Sequence, residues 1–310
     1  MRTDRNKQKK SKWLSIIGLI FVLLILGVGL YSFSVYKSLT DAVKTMHQPT
    51  DRKISDLRTN EIDFGKKDPF SVLMLGVDER EGDKGRSDTM IVLTVNPEKN
   101  SVKMLSIPRD TRTDIIGHGT VDKINHAYAF GGEEMSMATV EDFLDIPIDY
   151  YVKINMESFE DIVDAVGGIT VNNNFSFTEG GHQFNEGELN LNGKEALSFV
   201  RMRKNDPKGD FGRQQRQRQV IQGVIDKGAS VNFLTQFDDI FAALGKNIRT
   251  NMTFNEIVEI QKNYKDARHN IDQLQVSGKG TRINNIYYQV VSEEEKQRVQ
   301  KELKNHLKLK

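Results

Sequence analysis

Phe70-Ser71-Val72-Leu73-Met74-Leu75-Gly76-Val77 is a short apolar run that stops at a charge, Asp78. A run of this length reads as a strand buried on both faces. Thr89-Met90-Ile91-Val92-Leu93-Thr94-Val95 is a second such run, and Val102-Lys103-Met104-Leu105-Ser106-Ile107-Pro108 a third. Asn96-Pro97-Glu98-Lys99-Asn100 between them is a turn. Helical patterns follow at Val121 to Phe130, with Gly131-Gly132 as the stop, and at Met135 to Leu144. Ile148 to Ile154 is strand-like, Met156 to Val166 is helical and stops at Gly167-Gly168, Asn192 to Arg201 is a short helix, and Gly212 to Gly228 a long one. Strands mixed with helices predict an α/β sandwich with helices on both sides of a central sheet. After about Ser230 the apolar content is patchier, and Ser292 to Lys310 reads as a charged surface helix or a loose tail.

Upstream of this domain, residues 13–36 carry no charge, which is enough to cross a bilayer. Arg2, Arg5, Lys7, Lys9, Lys10 and Lys12 precede the segment, opposed only by Asp4. Positive flanks stay in the cytoplasm, so the bulk of the chain is expected outside it, as a single-pass type II protein of the cell membrane with an extracellular catalytic domain. A cleaved signal peptide would have a shorter core and a small-residue cleavage site, and Tyr31-Ser32-Phe33-Ser34-Val35-Tyr36 offers none. The expected order is a cytoplasmic tail (1–12), a transmembrane signal anchor (13–36), a stalk or linker (37–68), a catalytic domain (69–230) and a C-terminal helical extension (231–310). The first twelve residues carry +5 of a total of +1, which leaves −4 for the exported part. That balance argues against a nucleic-acid surface. The chain has no cysteine, which excludes disulfides, thiol nucleophiles and cysteine metal sites.

Three clusters carry chemistry. Asp78 and Asp88 flank one loop, with Arg80 and Arg86 between them. Arg109 follows the third strand. Arg201 and Arg203 precede the long helix, whose first turns bring Arg213, Arg216 and Gln217 onto the same stripe as Val220, Ile221 and Val224. Charges at strand ends of an open α/β sheet stand where ligands bind. A divalent cation such as Mg²⁺ uses one or two carboxylates plus substrate phosphates, and arginine grips phosphate with a planar fork. The interleaved carboxylates and arginines therefore suggest a metal–diphosphate site. Cations at a helix N-terminus oppose the macrodipole and make sense if an anion sits there. The plainer reading leaves Arg216 and Arg218 solvated and pairs Arg213 with Asp210. There is no Gly-x-Ser-x-Gly or His-Glu-x-x-His motif, and Gly278-Lys279-Gly280-Thr281 lacks the upstream glycine of a phosphate loop. His126 lies in a helical pattern and reads as structural.

In this order, Leu75-Gly76-Val77-Asp78, Arg86-Ser87-Asp88-Thr89, Ser106-Ile107-Pro108-Arg109-Asp110, Lys123-Ile124-Asn125-His126-Ala127-Tyr128, Leu191-Asn192-Gly193-Lys194-Glu195-Ala196-Leu197, and Arg201-Met202-Arg203 with Asp210 to Gln217 closely resemble the LytR-CpsA-Psr family of Gram-positive cell-wall transferases. The resemblance spans roughly residues 70–225. It implies a three-layer α-β-α sandwich with a central mixed sheet, preceded by one transmembrane helix. It implies a Mg-dependent phosphotransferase, with Mn²⁺ as an alternative metal. The expected reaction moves a wall glycopolymer of the teichoic acid class from undecaprenyl diphosphate to the C6 hydroxyl of N-acetylmuramic acid in peptidoglycan. The isoprenoid tail would lie in an apolar tunnel. Asp78 and Asp88 match the metal-binding positions. Arg80, Arg86, Arg109, Arg201, Arg203, Arg213 and Gln217 match diphosphate-contacting positions. Asp78, Asp88 and Arg109 are the expected catalytic residues, with Asp88 as proton acceptor. Two alternatives stay open: a polyprenyl-diphosphate hydrolase on the same site, and a membrane-bound regulator of autolysin expression.

Overall fold

The computed structural model describes residues 33–34, 36–38, 40–79, 85–230 and 248–309. Nearly all of the expected anchor, 13–36, and all of Arg80 lie outside these residues. No helix among the described residues is long and apolar enough to cross a membrane. In chain order the strands are β1 (Phe70–Val77), β2 (Ser87–Asn96), β3 (Ser101–Ser106), β4 (Arg112–Ile115), β5 (Thr120–Lys123), β6 (Tyr150–Asn155), β7 (Ile169–Asn173), β8 (Phe177–Glu179), β9 (His182–Phe184), β10 (Gly187–Leu191), β11 (Ile248–Thr250), β12 (Ile271–Gln275), β13 (Lys279–Ile283) and β14 (Ile286–Val290). The helices are α1 (His126–Leu144), α2 (Met156–Ala165), α3 (Gly193–Arg201), α4 (Asp210–Ser230), α5 (Phe254–Asn263) and α6 (Glu293–Leu307).

The central sheet is mixed, in the order β11-β6-β1-β2-β3-β12. β1 lies antiparallel to β2 and parallel to β6, so the run that reads as a doubly buried strand sits in the middle. Its two-residue period separates its faces. Leu73, Leu75 and Val77 pack with Met137, Val140 and Phe143 of α1 and with Val299, Leu303 and Leu307 of α6. Phe70, Val72 and Met74 face an apolar space walled by α2, α4 and α5. Helices thus cover both faces of the sheet.

Two expectations are corrected. Within the expected helical extension 231–310, residues 231–247 lie outside the described residues, and residues 248–309 are not simply helical: β11 and β12 form the two edges of the central sheet. Their few residues pair with β6 and β3, which the local pattern does not show. The charged tail is α6, with Val299, Leu303 and Leu307 buried at four-residue spacing. The second correction concerns Val121 to Phe130. Residues 120–123 are a strand paired with β4, and the helix starts at His126. It kinks at the predicted stop and then continues. Gly132 takes φ 67° and ψ −147°, a conformation open essentially to glycine alone. The helix over 193–201 begins as expected at Asn192, whose side chain and Glu195 form a reciprocal cap.

Candidate functional site

Antiparallel pairing brings the end of β1 beside the start of β2, with Val77 opposite Ser87 and Gly76 opposite Thr89. Asp78 and Asp88 are thereby set on one sheet edge. Gly76 permits this approach, since a Cβ there would lie 2.9 Å from Thr89 Cβ. Beyond β3 the chain stays tied to the edge by Ile107 N–H donating to Met90 O at 2.9 Å. Arg109 then reaches Asp88, with Nη1 2.5 Å from Oδ1.

Asp78, Asp88, Thr89, Asn155, Arg201, Arg213 and Gln217 line one cavity of about 210 Å³. α3 delivers Arg201 at its last residue, and α4 delivers Arg213 and Gln217 from its first two turns. Gln217 Nε2 donates to Thr89 Oγ1 at 2.8 Å. Arg213 Nη2 lies 2.7 Å from Asp210 Oδ1, and Arg203 Nε lies 3.5 Å from the same oxygen. Arg213 Nε is buried with no hydrogen-bond partner. Burial lowers the basicity of Arg213, and Arg109 and Arg203 lower it further, against Asp210 and Asp88. Burial also opposes the charge on Arg109, but Asp88, Asp110 and Asp210 outweigh it and hold the cation above its ordinary pKa. A buried arginine fork with an unused donor, close to two like charges, is a place where an anion relieves repulsion.

The second cavity, about 340 Å³, is apolar throughout. Met74, Ile154, Phe159 and Ile221 belong to the walls of both cavities. The apolar space therefore adjoins the cavity that Asp78, Asp88 and Arg213 line.

The structure brings most of the expected site residues together. Arg86 is exposed just before β2, and Arg86, Arg109 and Arg203 are not part of the cavity wall; Arg109 reaches it through Asp88, and Arg203 shares Asp210 with Arg213. The stripe reading of α4 is corrected at Arg216. It neither faces the anion site nor is solvated. It is buried in an ion pair with Asp206 at 2.5 Å, donates to the Phe199 and Met202 carbonyls, and lies over the Phe177 and Phe199 rings. Arg218 is buried too, donating to Ser106 Oγ at 2.8 Å and Gln273 Oε1 at 3.1 Å. Arg213 does pair with Asp210, as the plainer reading held. His126 is structural, with Nδ1 2.7 Å from Asp122 Oδ2.

One group of residues escaped the sequence reading. Lys153 Nζ lies 2.9 Å from Glu133 Oε1, 3.3 Å from Glu79 Oε1 and 3.1 Å from Tyr128 Oη. Tyr128 Oη donates to Glu79. This cluster ties the residue after Asp78 to β6 and α1. Its signal was a lysine inside the strand-like run 148–154.

Asp78 and Asp88 offer a cation two carboxylates and no softer ligand. No group of three or more metal-ligating side chains occurs among the described residues. A Mg²⁺ ion here would depend on phosphate oxygens and water for its remaining ligands, which is its usual habit, so the donor set fits.

The LytR_cpsA_psr family model matches residues 32–305. The polyisoprenyl-teichoic acid–peptidoglycan teichoic acid transferase TagU of Bacillus subtilis (strain 168) is 53% identical over 307 residues, covering 99% of each chain. The crystal structure of B. subtilis TagU superposes with a TM-score of 0.66 at 53% identity, over 79% of this chain and 99% of that one. The LytR-CPS2A-psr family protein YwtF (TagT) with bound octaprenyl pyrophosphate lipid superposes with a TM-score of 0.68 at 31% identity, over 85% of this chain and all of the other. Sheet order, arginine cluster and adjoining apolar cavity thus coincide with similarity along the whole chain, and the protein belongs to the LytR-CpsA-Psr family.

Proposed function

We propose that this protein transfers a teichoic-acid-class wall polymer from a polyprenyl diphosphate carrier to peptidoglycan, and that the carrier is undecaprenyl diphosphate and the acceptor the C6 hydroxyl of N-acetylmuramic acid. The observation that carries this is the shared wall of the two cavities: Met74, Ile154, Phe159 and Ile221 line both an arginine-bearing space and the apolar one next to it. A lipid diphosphate has those two parts in that order. Burying its tail contributes about 0.8 kcal/mol per CH₂, which suits an extended apolar space.

The reaction forms a bond between the acceptor oxygen and the polymer-bearing phosphorus and breaks the bridging P–O bond, so that polyprenyl phosphate leaves. Catalysis of such a displacement is positioning plus charge neutralisation. Arg213 offers its unused Nε–H to the diphosphate. Arg109 and Arg203 stand close enough to bias its charge and share the load. Gln217, held by Thr89, orients a phosphate oxygen. Asp88 accepts the hydroxyl proton. Asp78 and Asp88 would hold Mg²⁺, which when bound would supply positive charge to offset the charge developing on the diphosphate. The segment 13–36 anchors the enzyme on the outer face of the membrane, where no ATP is available and the diphosphate supplies the energy.

Transfer from a synthetic lipid-linked teichoic acid to peptidoglycan fragments tests this. Asp78→Ala and Asp88→Ala are expected to abolish transfer while leaving the melting temperature within the range of other surface changes. Wild-type activity in either variant removes that residue from the mechanism. Release of free polymer without a peptidoglycan adduct would favour the hydrolase.

A further inference from the structure

Among the described residues, six of the ten exposed large apolar side chains belong to the β4–β5 hairpin, β14 and the start of α1. They are Ile116 and Val121 on the β4–β5 hairpin, Phe130 on α1, and Ile286, Tyr287 and Val290 on β14. Concentrated exposure of this kind marks an interaction surface. His118 lies flat on Phe130, with ring centroids 3.9 Å apart and planes within 5°. The two hairpins form one body. Thr111 bridges Gln289, Gln289 N–H donates to Asp110 O at 2.8 Å, and Tyr288 Oη donates to Asp122 Oδ1 at 3.2 Å.

This surface is continuous with the phosphate site. Arg109 and Asp110 lead directly into β4, and Lys123 at the end of β5 pairs with Asp110 at 2.6 Å. Tyr128, two residues before Phe130, bonds Glu79 beside Asp78. It also lies on the correct side. In phosphoryl transfer the attacking and leaving oxygens stand in line. The leaving group carries the lipid, and the apolar cavity is on the sheet face covered by α2, α4 and α5. The acceptor is thus best placed away from that cavity, and α1, which carries Phe130, covers the opposite sheet face.

We propose that this surface binds the acceptor glycan strand, with sugar rings stacked on the Phe130–His118 pair and on Tyr287; the proposal rests on the transferase reading above. Sugar rings present apolar C–H faces that lie flat on aromatic rings. An anionic donor polymer would instead call for a track of arginine forks. β4 spans about 10 Å from Arg112 to Ile115, which gives room for more than one sugar.

The experiment uses the full chain in phospholipid vesicles, with lipid-linked teichoic acid as donor and uncrosslinked peptidoglycan strands as acceptor. Phe130→Ala and Tyr287→Ala, singly and together, are expected to raise the acceptor KM by about tenfold per ring, the equivalent of one aromatic contact, with kcat, melting temperature and octaprenyl diphosphate binding unchanged. Phe130→Tyr and Tyr287→Phe should retain wild-type KM. An unchanged acceptor KM in the double variant overturns the proposal, as does a loss confined to donor binding. If the wild type transfers nothing, the transferase reading falls by itself. Co-sedimentation with purified glycan strands then decides the surface: retention of wild type and loss of the double variant upholds it, and equal behaviour overturns it.

Discussion

Two arginines of α4, three residues apart, carry opposite duties. Arg216 is buried and paired with Asp206, whose side chain is only 1% exposed. Truncating it leaves a buried carboxylate without its cation, at a cost of about 3–5 kcal/mol. Arg213 is also largely buried, but its neighbours Arg109 and Arg203 disfavour its charge. Its partner Asp210 keeps Arg203 at 3.5 Å when Arg213 is removed. Arg216→Ala should therefore melt far below wild type in the absence of lipid. Arg213→Ala should melt within about 1 kcal/mol of it, yet gain much less from octaprenyl diphosphate, because ligand stabilisation follows affinity for the folded state. Thermal melts with and without the lipid check both. A deep loss for empty Arg213→Ala, with full ligand stabilisation, would make Arg213 a structural residue. Both arginines were legible as one stripe. Their separation was not, because Asp206 lies in the preceding loop and Arg216 is covered by the Phe177 and Phe199 rings.

At the scale of an element, α6 shows how a charged tail becomes part of the core. Its three-acid first turn and basic last turn suit the helix dipole, and Ser292 caps it. Its buried stripe packs on the same cluster as β1. His306 is buried between Thr94 and Ser101, with ring nitrogens 2.8 Å and 3.0 Å from their hydroxyl oxygens. Burial first, then Lys103 and Lys99, push its pKa down to about 4. An unfolded histidine titrates near 6.5, so between about pH 6.5 and 4 the unfolded chain holds a proton that the folded one lacks. Stability must then fall as pH falls through that window. Melting curves from pH 7 to pH 4.5 should show the decline, and His306→Asn, although less stable at pH 7, should show a shallower one. Equal slopes would assign the decline to other groups. Ser292 to Lys310 was readable only as a charged surface helix or a loose tail. Its docking was not, since the partner residues lie some two hundred positions upstream.

For the whole molecule, the sheet acts as a divider. One face is filled by α1 and α6, and the other leaves about 340 Å³ open between β1, β6 and the α2, α4 and α5 helices. If that space takes the lipid tail, polyprenyl diphosphates of increasing length should raise the melting temperature progressively until the cavity is filled, because each added buried CH₂ contributes about 0.8 kcal/mol. A series from two to eight isoprene units would show this. A shift independent of length would mean that only the head group is bound.

By itself the sequence determined much of the local structure: β1 from its apolar run, the short helix that begins after Asn192, a break at Gly131-Gly132 that it read as a stop, and a candidate anion site from arginines and aspartates gathered at element ends. These are short-range properties, set by side-chain period, caps and charge within a few residues. Only the tertiary structure decided which arginine lines the cavity, that Lys153 anchors Glu79, that residues 248–250 and 271–275 complete the sheet, and that an apolar cavity adjoins the one lined by Asp78. Those outcomes depend on contacts between residues far apart in the chain, where depth and partner, not local pattern, set the energy.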